Sequence, residues 1–319
     1  MSSQSQYDEI GLSYESLKAQ PAALVERANL RAVITPLLLS SPRRGGRPST
    51  HPDDRDDDDE KEEVSVLNLA CGTGYYSRLV LSWGASRVVG VDISSAMIEA
   101  ARSQSEDSSR LTFLVGDCSR PLSLKNAWSE KEERFDIVLG AWLLNYASSP
   151  SDLVSMFGNV SSHLKPGGHF VGVTPHPATD LDSFAELFDP SKTKNRDRAE
   201  YGATVEYTAK LPGGHGYRAK VTAHVKPREI SFESFHLKRE VYENAARDGG
   251  LEGELKWVDV QLPRTNDESK TGYGVDLDFW EGYLDAPHFG ILVVEKYFDA
   301  SLLKKKEKHS GSTNSSLRE

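Results

Sequence analysis

Cysteine is almost missing from this chain: Cys71 and Cys118 are the only two in 319 residues. Two thiols make no disulfide framework. With no histidine cluster beside them they do not suit a structural zinc site either, so no metal is expected. Both read as reduced, with packing beneath a ligand favoured over a catalytic thiol. Long apolar runs are missing too, none approaching the ~20 residues of a membrane span. The opening MSSQSQYDEI has no basic stretch ahead of an apolar one, the mark of a secretory signal. The expectation is a cytoplasmic protein with no membrane partner. Basic sequence is sparse: the run Lys304 to Lys308 is too short to argue for nucleic acid without a folded basic face, so none is expected as a partner.

The net charge of -10 looks like a statement about partners until it is located. Nine acids between Asp53 and Glu63 face only Arg55 and Lys61, so most of the imbalance is one local run. Around it, residues 40–63 hold almost nothing apolar and cannot offset the entropy of ordering. A disordered acidic insert is expected there, and a disordered tail over 303–319. Hydrophobic residues, at 38%, suffice for one substantial core in a single domain with insertions.

What is present is concentrated between Val64 and Asp92, which read VSVLNLACGTGYYSRLVLSWGASRVVGVD. An apolar strand enters a glycine-containing turn, a helix follows, and a second apolar strand ends on an acid. That is one βαβ half of a nucleotide-binding sheet, and Asp92 stands where a carboxylate accepts both hydroxyls of an adenosine ribose. The dinucleotide pattern wants a third glycine where this chain has Tyr75, which disfavours a pyrophosphate and hence a nicotinamide oxidoreductase. No Gly-Lys-Ser or Gly-Lys-Thr follows the turn, which disfavours a P-loop. An uncharged or zwitterionic adenosine-containing ligand fits best.

The rest of the pattern is alternating. Two helical patterns flank Pro21 within Ser13 to Leu39, the second presenting Leu24, Leu30, Val33, Leu37 and Leu38. A helix over Tyr75 to Trp83, with strands at Val64 to Leu69 and Arg87 to Val91, completes the first unit. Ser94 or Ser95 caps a helix that runs through Arg102. Strands follow at Leu111 to Val115, Phe135 to Leu139 and His169 to Val173. A helix over Ser151 to Leu164 and the turn Pro166-Gly167-Gly168 precede the last of these. Strands alternating with helices imply a doubly wound α/β sheet, whose ligands sit outside the strands' carboxyl ends. Farther on, Thr204 to Lys210 and Tyr217 to Val225 read as a β-hairpin, Ser234 to Asp248 as a helix, and Lys256 to Leu262 and Ile291 to Tyr297 as final strands. The expected organisation is a helical cap over 1–39, the insert over 40–63, a main domain over 64–302 with a hairpin lid within 174–233, and the tail.

LNLACGTG, VVGVDISSAMIEAAR, LVGDCS, FDIVLGAWLLNYA and LKPGGHF occur in this order, and together they resemble class I S-adenosylmethionine-dependent methyltransferases. Within that superfamily YDEIGLSY, LLNYA and FWEGYL resemble small-molecule enzymes of the toxoflavin-biosynthesis type. The resemblance implies a Rossmann-like, seven-stranded, mostly parallel sheet with an antiparallel last strand, S-adenosylmethionine as cofactor, and a small-molecule methyl acceptor. Two positions depart from the pattern: Asn68 stands where the family has Asp, and Ala70 where Gly is common. Asn68 would accept a hydrogen bond from the methionine ammonium without supplying charge.

The cofactor set expected is Tyr14, Asn68, Ala70, Cys71, Gly72, Asp92, Ile93, Met97, Asp117, Cys118 and Ala141. Asp92 would take the ribose, unless it serves only as an acid at a helix N-terminus. Ile93 and Met97 would pack on the adenine, Asp117 would receive its amino group, and Cys118 would offer a backbone amide beside it. Tyr14 would close over the sulfonium, whose charge an aromatic face favours. Tyr7, Trp142, Asn145, Trp280, Tyr283 and His288 are the acceptor-site candidates, with core packing an equal explanation for each aromatic. His176 is the leading general base, should the acceptor need one, with a plain turn histidine as the alternative and His288 as second choice. The function expected is methyl transfer to nitrogen or oxygen of a planar, aromatic or heterocyclic metabolite, in secondary metabolism, by a monomer or homodimer. The alternative is a catalytically silent regulatory or partner-binding subunit. Protein or nucleic-acid methylation is a further one.

Overall fold

The computed structural model describes residues 14–39, 63–105, 109–125, 132–189, 198–262 and 279–297. Tyr7, the acidic insert but for Glu63, and the tail lie outside the described residues. In chain order the elements are α1 (Tyr14–Leu17), α2 (Pro21–Leu39), β1 (Ser65–Leu69), α3 (Tyr75–Ser82), β2 (Arg87–Asp92), α4 (Ser95–Ser103), β3 (Leu111–Val115) and β4 (Phe135–Ala141). There follow α5 (Pro150–His163), β5 (Leu164–Pro175), α6 (Leu181–Glu186), β6 (Ala203–Lys210), β7 (Gly216–Ala223), β8 (Ile230–Leu237), α7 (Arg239–Asp248), β9 (Leu255–Val258) and β10 (Phe289–Glu295).

Seven strands form one sheet in the order β3-β2-β1-β4-β5-β10-β9. The first five are parallel, and β10 lies antiparallel to both β5 and β9. This is the Rossmann-like arrangement the sequence implies. Helices bury both faces, so the strands read as near-continuous apolar runs: every residue of β1 is buried. Val66, Val88, Ile137 and Ile291 face α2 and α3, whereas Leu67, Val89, Val138 and Leu292 face α5 and α7. Strand order reverses between β1 and β4, and a crevice opens outside the carboxyl ends of a sheet at such a point.

Local chemistry explains the boundaries. Ser94 caps α4, its hydroxyl accepting from the Met97 amide, and Ser149 caps α5 by accepting from Asp152, with Pro150 at the first helical position. In the first turn Gly74 has φ 77°, and a Cβ there would meet the Phe113 ring at 2.8 Å, so only glycine fits.

Three sequence expectations are corrected. Pro166-Gly167-Gly168, expected as the turn before the strand, is an irregularity within β5: Gly167 has φ 74°, the pairing with β4 jumps from Leu164 to His169, and Gly167 donates to Lys296 while Gly168 accepts from it. Ser234 to Leu237 is strand rather than helix: the run ISFESFHL alternates with period two, and it pairs along the whole of β7. The hairpin is therefore a three-stranded antiparallel sheet, β6-β7-β8. The strand expected over Lys256 to Leu262 stops at Val258, because Gln261 leaves the sheet to exchange hydrogen bonds with Asn29 of α2.

Candidate active site

Two cavities meet at the carboxyl edge of the large sheet. The larger, about 480 Å³, lies over the turn between β1 and α3, in the size range of small-molecule sites. Asn68, Ala70, Cys71 and Gly72 form its floor, and Asp92, Ile93 and Met97 one wall. With Asp117, Cys118 and Ala141, ten of the eleven residues expected from sequence line this cavity. Tyr14 lies on α1, and its side chain is outside the described residues.

The turn is held by its own acid. Asp92 is buried, accepting from the Gly72 amide at 2.8 Å on one oxygen and from the Ser94 amide at 2.9 Å on the other. A carboxylate has about four lone-pair sites, so this leaves capacity for a diol. Asn68 donates through Nδ2 to the Ser77 hydroxyl at 2.9 Å, while its Oδ1 is buried with no partner. A buried acceptor left orphaned is destabilising unless a donor arrives, and an ammonium is a suitable donor. Asp117 is tied locally to Ser119 and Arg120, and Ile93 stands exposed at the rim. Both thiols are buried; burial pushes Cys71 well up and Cys118 to about 12, so neither is a thiolate at neutral pH.

The N-terminal cap reaches into this crevice. Glu15 of α1 accepts from the Thr73 hydroxyl at 2.8 Å and from Arg78 at 2.6 Å, tying the cap to the turn. Lys18, just past α1, lines the crevice beside Tyr76.

The second cavity, about 110 Å³, is largely aromatic and lies between α2 and the inner face of the three-stranded sheet. Trp142, Asn145, Tyr283 and His288, all expected from sequence, line it. Trp142 and Tyr146 line both cavities and form the wall between them. The Oδ1 of Asn145 is buried without a partner, and the residue is 2% exposed. On the facing sheet Tyr207 bonds His236 Nδ1 at 2.7 Å, and His236 Nε2 donates to the His176 carbonyl at 2.6 Å. Burial lowers the His236 imidazole to about 4. It is therefore neutral, and the Tyr207 hydroxyl is the donor of that pair.

Two expected residues are not brought to either cavity. The His176 side chain stacks on Phe184 behind the aromatic cavity, its Nδ1 buried and unpaired, and burial lowers its pKa. Trp280 stacks on Tyr201 and belongs to the core.

Glu26 is the residue the sequence reading missed. It is 3% exposed and lines the aromatic cavity. Its Oε1 accepts from Lys18 at 3.1 Å and from the Tyr76 hydroxyl, and its Oε2 accepts from Trp142 Nε1 at 2.9 Å, with His288 Nε2 3.9 Å away. Burial works to raise the carboxyl pKa, but Lys18, His288 and Tyr76 outweigh it and bring it to about 2. A signal was available: Ala22, Glu26, Leu30, Ile34 and Leu38 form a buried row at four-residue spacing, with one acid in it.

A methyltransferase-domain family matches residues 66–168. The chain is 27% identical over 143 residues to the malonyl-[acyl-carrier protein] O-methyltransferase of Paenibacillus, covering 42% of this chain and 48% of that one. It spans about half the length of the first curated relatives it matches. A longer match is to mRNA cap guanine-N(7) methyltransferase 2 of rice, 30% identical over 254 residues, covering 72% of this chain and 71% of that protein. Among solved structures, an S-adenosylmethionine-dependent methyltransferase from Mesorhizobium loti is 19% identical at a TM-score of 0.45, over 73% of this chain and 91% of that one. The length of the rice match, together with the domain match over the glycine turn and Asp92, shows that the chain belongs to the class I S-adenosylmethionine-dependent methyltransferases.

Proposed function

We propose that the chain transfers a methyl group from S-adenosylmethionine to nitrogen or oxygen of a small, planar, aromatic or heterocyclic acceptor. The observation that carries this reading is the buried, unpartnered Asn145 Oδ1 in an aromatic cavity whose Trp142 wall is shared with the cofactor crevice. The small volume and ring-lined walls suit a flat molecule, and the orphaned oxygen suits one that carries an N–H or O–H. The resemblance to enzymes of toxoflavin biosynthesis supports a heterocycle.

When bound, S-adenosylmethionine supplies an activated methyl on a sulfonium. The chain's own residues do the rest. Asp92 would hold the ribose hydroxyls and Asn68 Oδ1 the ammonium. Ile93 and Met97 would cover the adenine, and Asp117 with Cys118 would face its amino edge. Trp142 and Tyr146 would align the acceptor against the crevice, and Asn145 would fix its rotation. Alignment of this kind is the main part of catalysis for a good nucleophile. Where the acceptor must lose a proton, His288 lines the cavity and His176 does not. The cap and the three-stranded sheet would close the site as a lid. The intact crevice argues against the catalytically silent alternative.

Purified protein is incubated with methyl-labelled S-adenosylmethionine and a panel of amino- and hydroxy-substituted heterocycles and phenols, and products are identified by mass. Transfer to a panel member supports the reading. Transfer confined to protein or RNA would overturn it.

A further inference from the structure

Glu26 has two sets of partners that belong to different cavities. Lys18 and Tyr76, on Oε1, line the cofactor crevice; Trp142, on Oε2, separates the crevice from the aromatic cavity, and His288 lines that cavity. Contacts of this kind span separations of 8, 50 and 116 residues, so no local structure demands them.

Trp142 gives the arrangement its meaning. Its φ is 66°, a left-handed value that a bulky side chain adopts only when its surroundings impose it. Three contacts do so: its amide donates to the Val173 carbonyl at 3.0 Å, its indole N–H donates to Glu26, and its ring stacks on His288 at 6.0 Å and 14°. The backbone contact sets the position of the residue, but only the indole contacts set the direction of the ring. That ring is the wall against which the sulfonium and the acceptor would meet.

We propose that Glu26 is a positioning residue, a buried carboxylate that fixes the Trp142 indole between the two cavities and ties it to the cofactor-crevice residues Lys18 and Tyr76. The proposal rests on the reading of the aromatic cavity as the acceptor site. A merely structural Glu26 would serve only to neutralise Lys18, itself 5% exposed. The two roles separate when the lysine is removed. In Lys18→Met/Glu26→Gln the charges are gone but a carbonyl oxygen still faces the indole. In Lys18→Met/Glu26→Leu there is no acceptor, and an apolar pair replaces the ion pair, a change that buried ion pairs often tolerate.

The test uses the full chain. Five tryptophans give five indole N–H signals in a proton–nitrogen spectrum, and the one absent from Trp142→Phe is assigned to Trp142. In the wild type this signal should be hydrogen-bonded and slow to exchange. It should stay so in the Gln double variant and become free and fast-exchanging in the Leu double variant. Calorimetry with S-adenosylhomocysteine should find binding about tenfold weaker in the Leu than in the Gln double variant, the effect of one hydrogen bond. Equal behaviour of the two would overturn the proposal. So would a fast-exchanging Trp142 signal in the wild type, a result that does not depend on whether either double variant folds. Failure of the wild type to bind S-adenosylhomocysteine would instead count against the proposed function.

Discussion

Gly72 donates its backbone N–H to the Asp92 carboxylate at 2.8 Å, so the acid that ends β2 closes the turn that ends β1. One residue therefore shapes the glycine turn and, in the proposed function, would present the oxygens that take the ribose. Asp92→Ala should abolish measurable S-adenosylhomocysteine binding in calorimetry. It should also cost about 1–3 kcal/mol of stability, since the Gly72 and Ser94 amides lose their acceptor. Asp92→Asn keeps one acceptor oxygen but turns an NH2 donor toward the other amide, so it should lose part of the stability and bind weakly. Tight binding by the Ala variant would remove Asp92 from the site.

Ala70 sits in the same turn with φ 55°, in the left-handed region where an L side chain is strained by about 1–2 kcal/mol. Ala70→Gly relieves the strain and gives back part of the gain as unfolded-chain entropy. The net expectation is a stabilisation of up to about 1 kcal/mol, read from the urea midpoint. A lower midpoint would show that the Ala70 methyl packs usefully against its neighbours.

Two buried groups predict successive windows of pH-dependent stability. His236 falls from 6.5 to about 4 on folding, because burial disfavours its charge. As pH drops below 6.5 the unfolded chain takes up a proton that the folded one refuses. Stability is therefore full above 6.5 and declines until about 4, by on the order of 3 kcal/mol. Glu26 falls from 4.5 to about 2: burial opposes the shift, and Lys18, His288 and Tyr76 impose it. Its contribution is full above 4.5 and is lost as pH falls toward 2, again on the order of 3 kcal/mol. Urea titrations at stepped pH should show both slopes. His236→Asn should flatten the first, and Lys18→Met/Glu26→Gln the second.

What was legible in the sequence was what local chemistry and short-range pattern control. The glycine turn, the acid at the end of β2, the Ser94 cap and the strand alternation each lie within a few residues of their cause. Ten of the positions expected to hold the cofactor consequently converge on one crevice, since parallel topology alone brings those loops together. Glu26 was hidden because its partners arrive from three distant elements, and an acid in a helix reads as solvent-facing until the buried row is seen. β8 was misread for a different reason. Ser234 and the residues after it run directly into the amphipathic α7, so the strand end and the helix read as one element, and the tie to β7 is a long-range pairing. His176 failed because a position just past β5 fixes the backbone but not the side chain, and stacking on Phe184 turns the ring away.

Asn145 offers the sharpest separation between binding cofactor and binding acceptor. Its side chain lies in the aromatic cavity and not in the crevice, and its Oδ1 has no partner in the folded chain. An unsatisfied buried oxygen destabilises the free protein, so Asn145→Ala should leave the melting temperature unchanged or raise it. The same variant removes the oxygen that an acceptor N–H or O–H would reach, so kcat/KM for whichever acceptor the panel identifies should fall about 10- to 100-fold, the effect of one buried hydrogen bond. Affinity for S-adenosylhomocysteine should not change. A variant that loses stability and cofactor affinity together would mean that Asn145 supports the loop after β4 and leaves recognition of the acceptor to other residues.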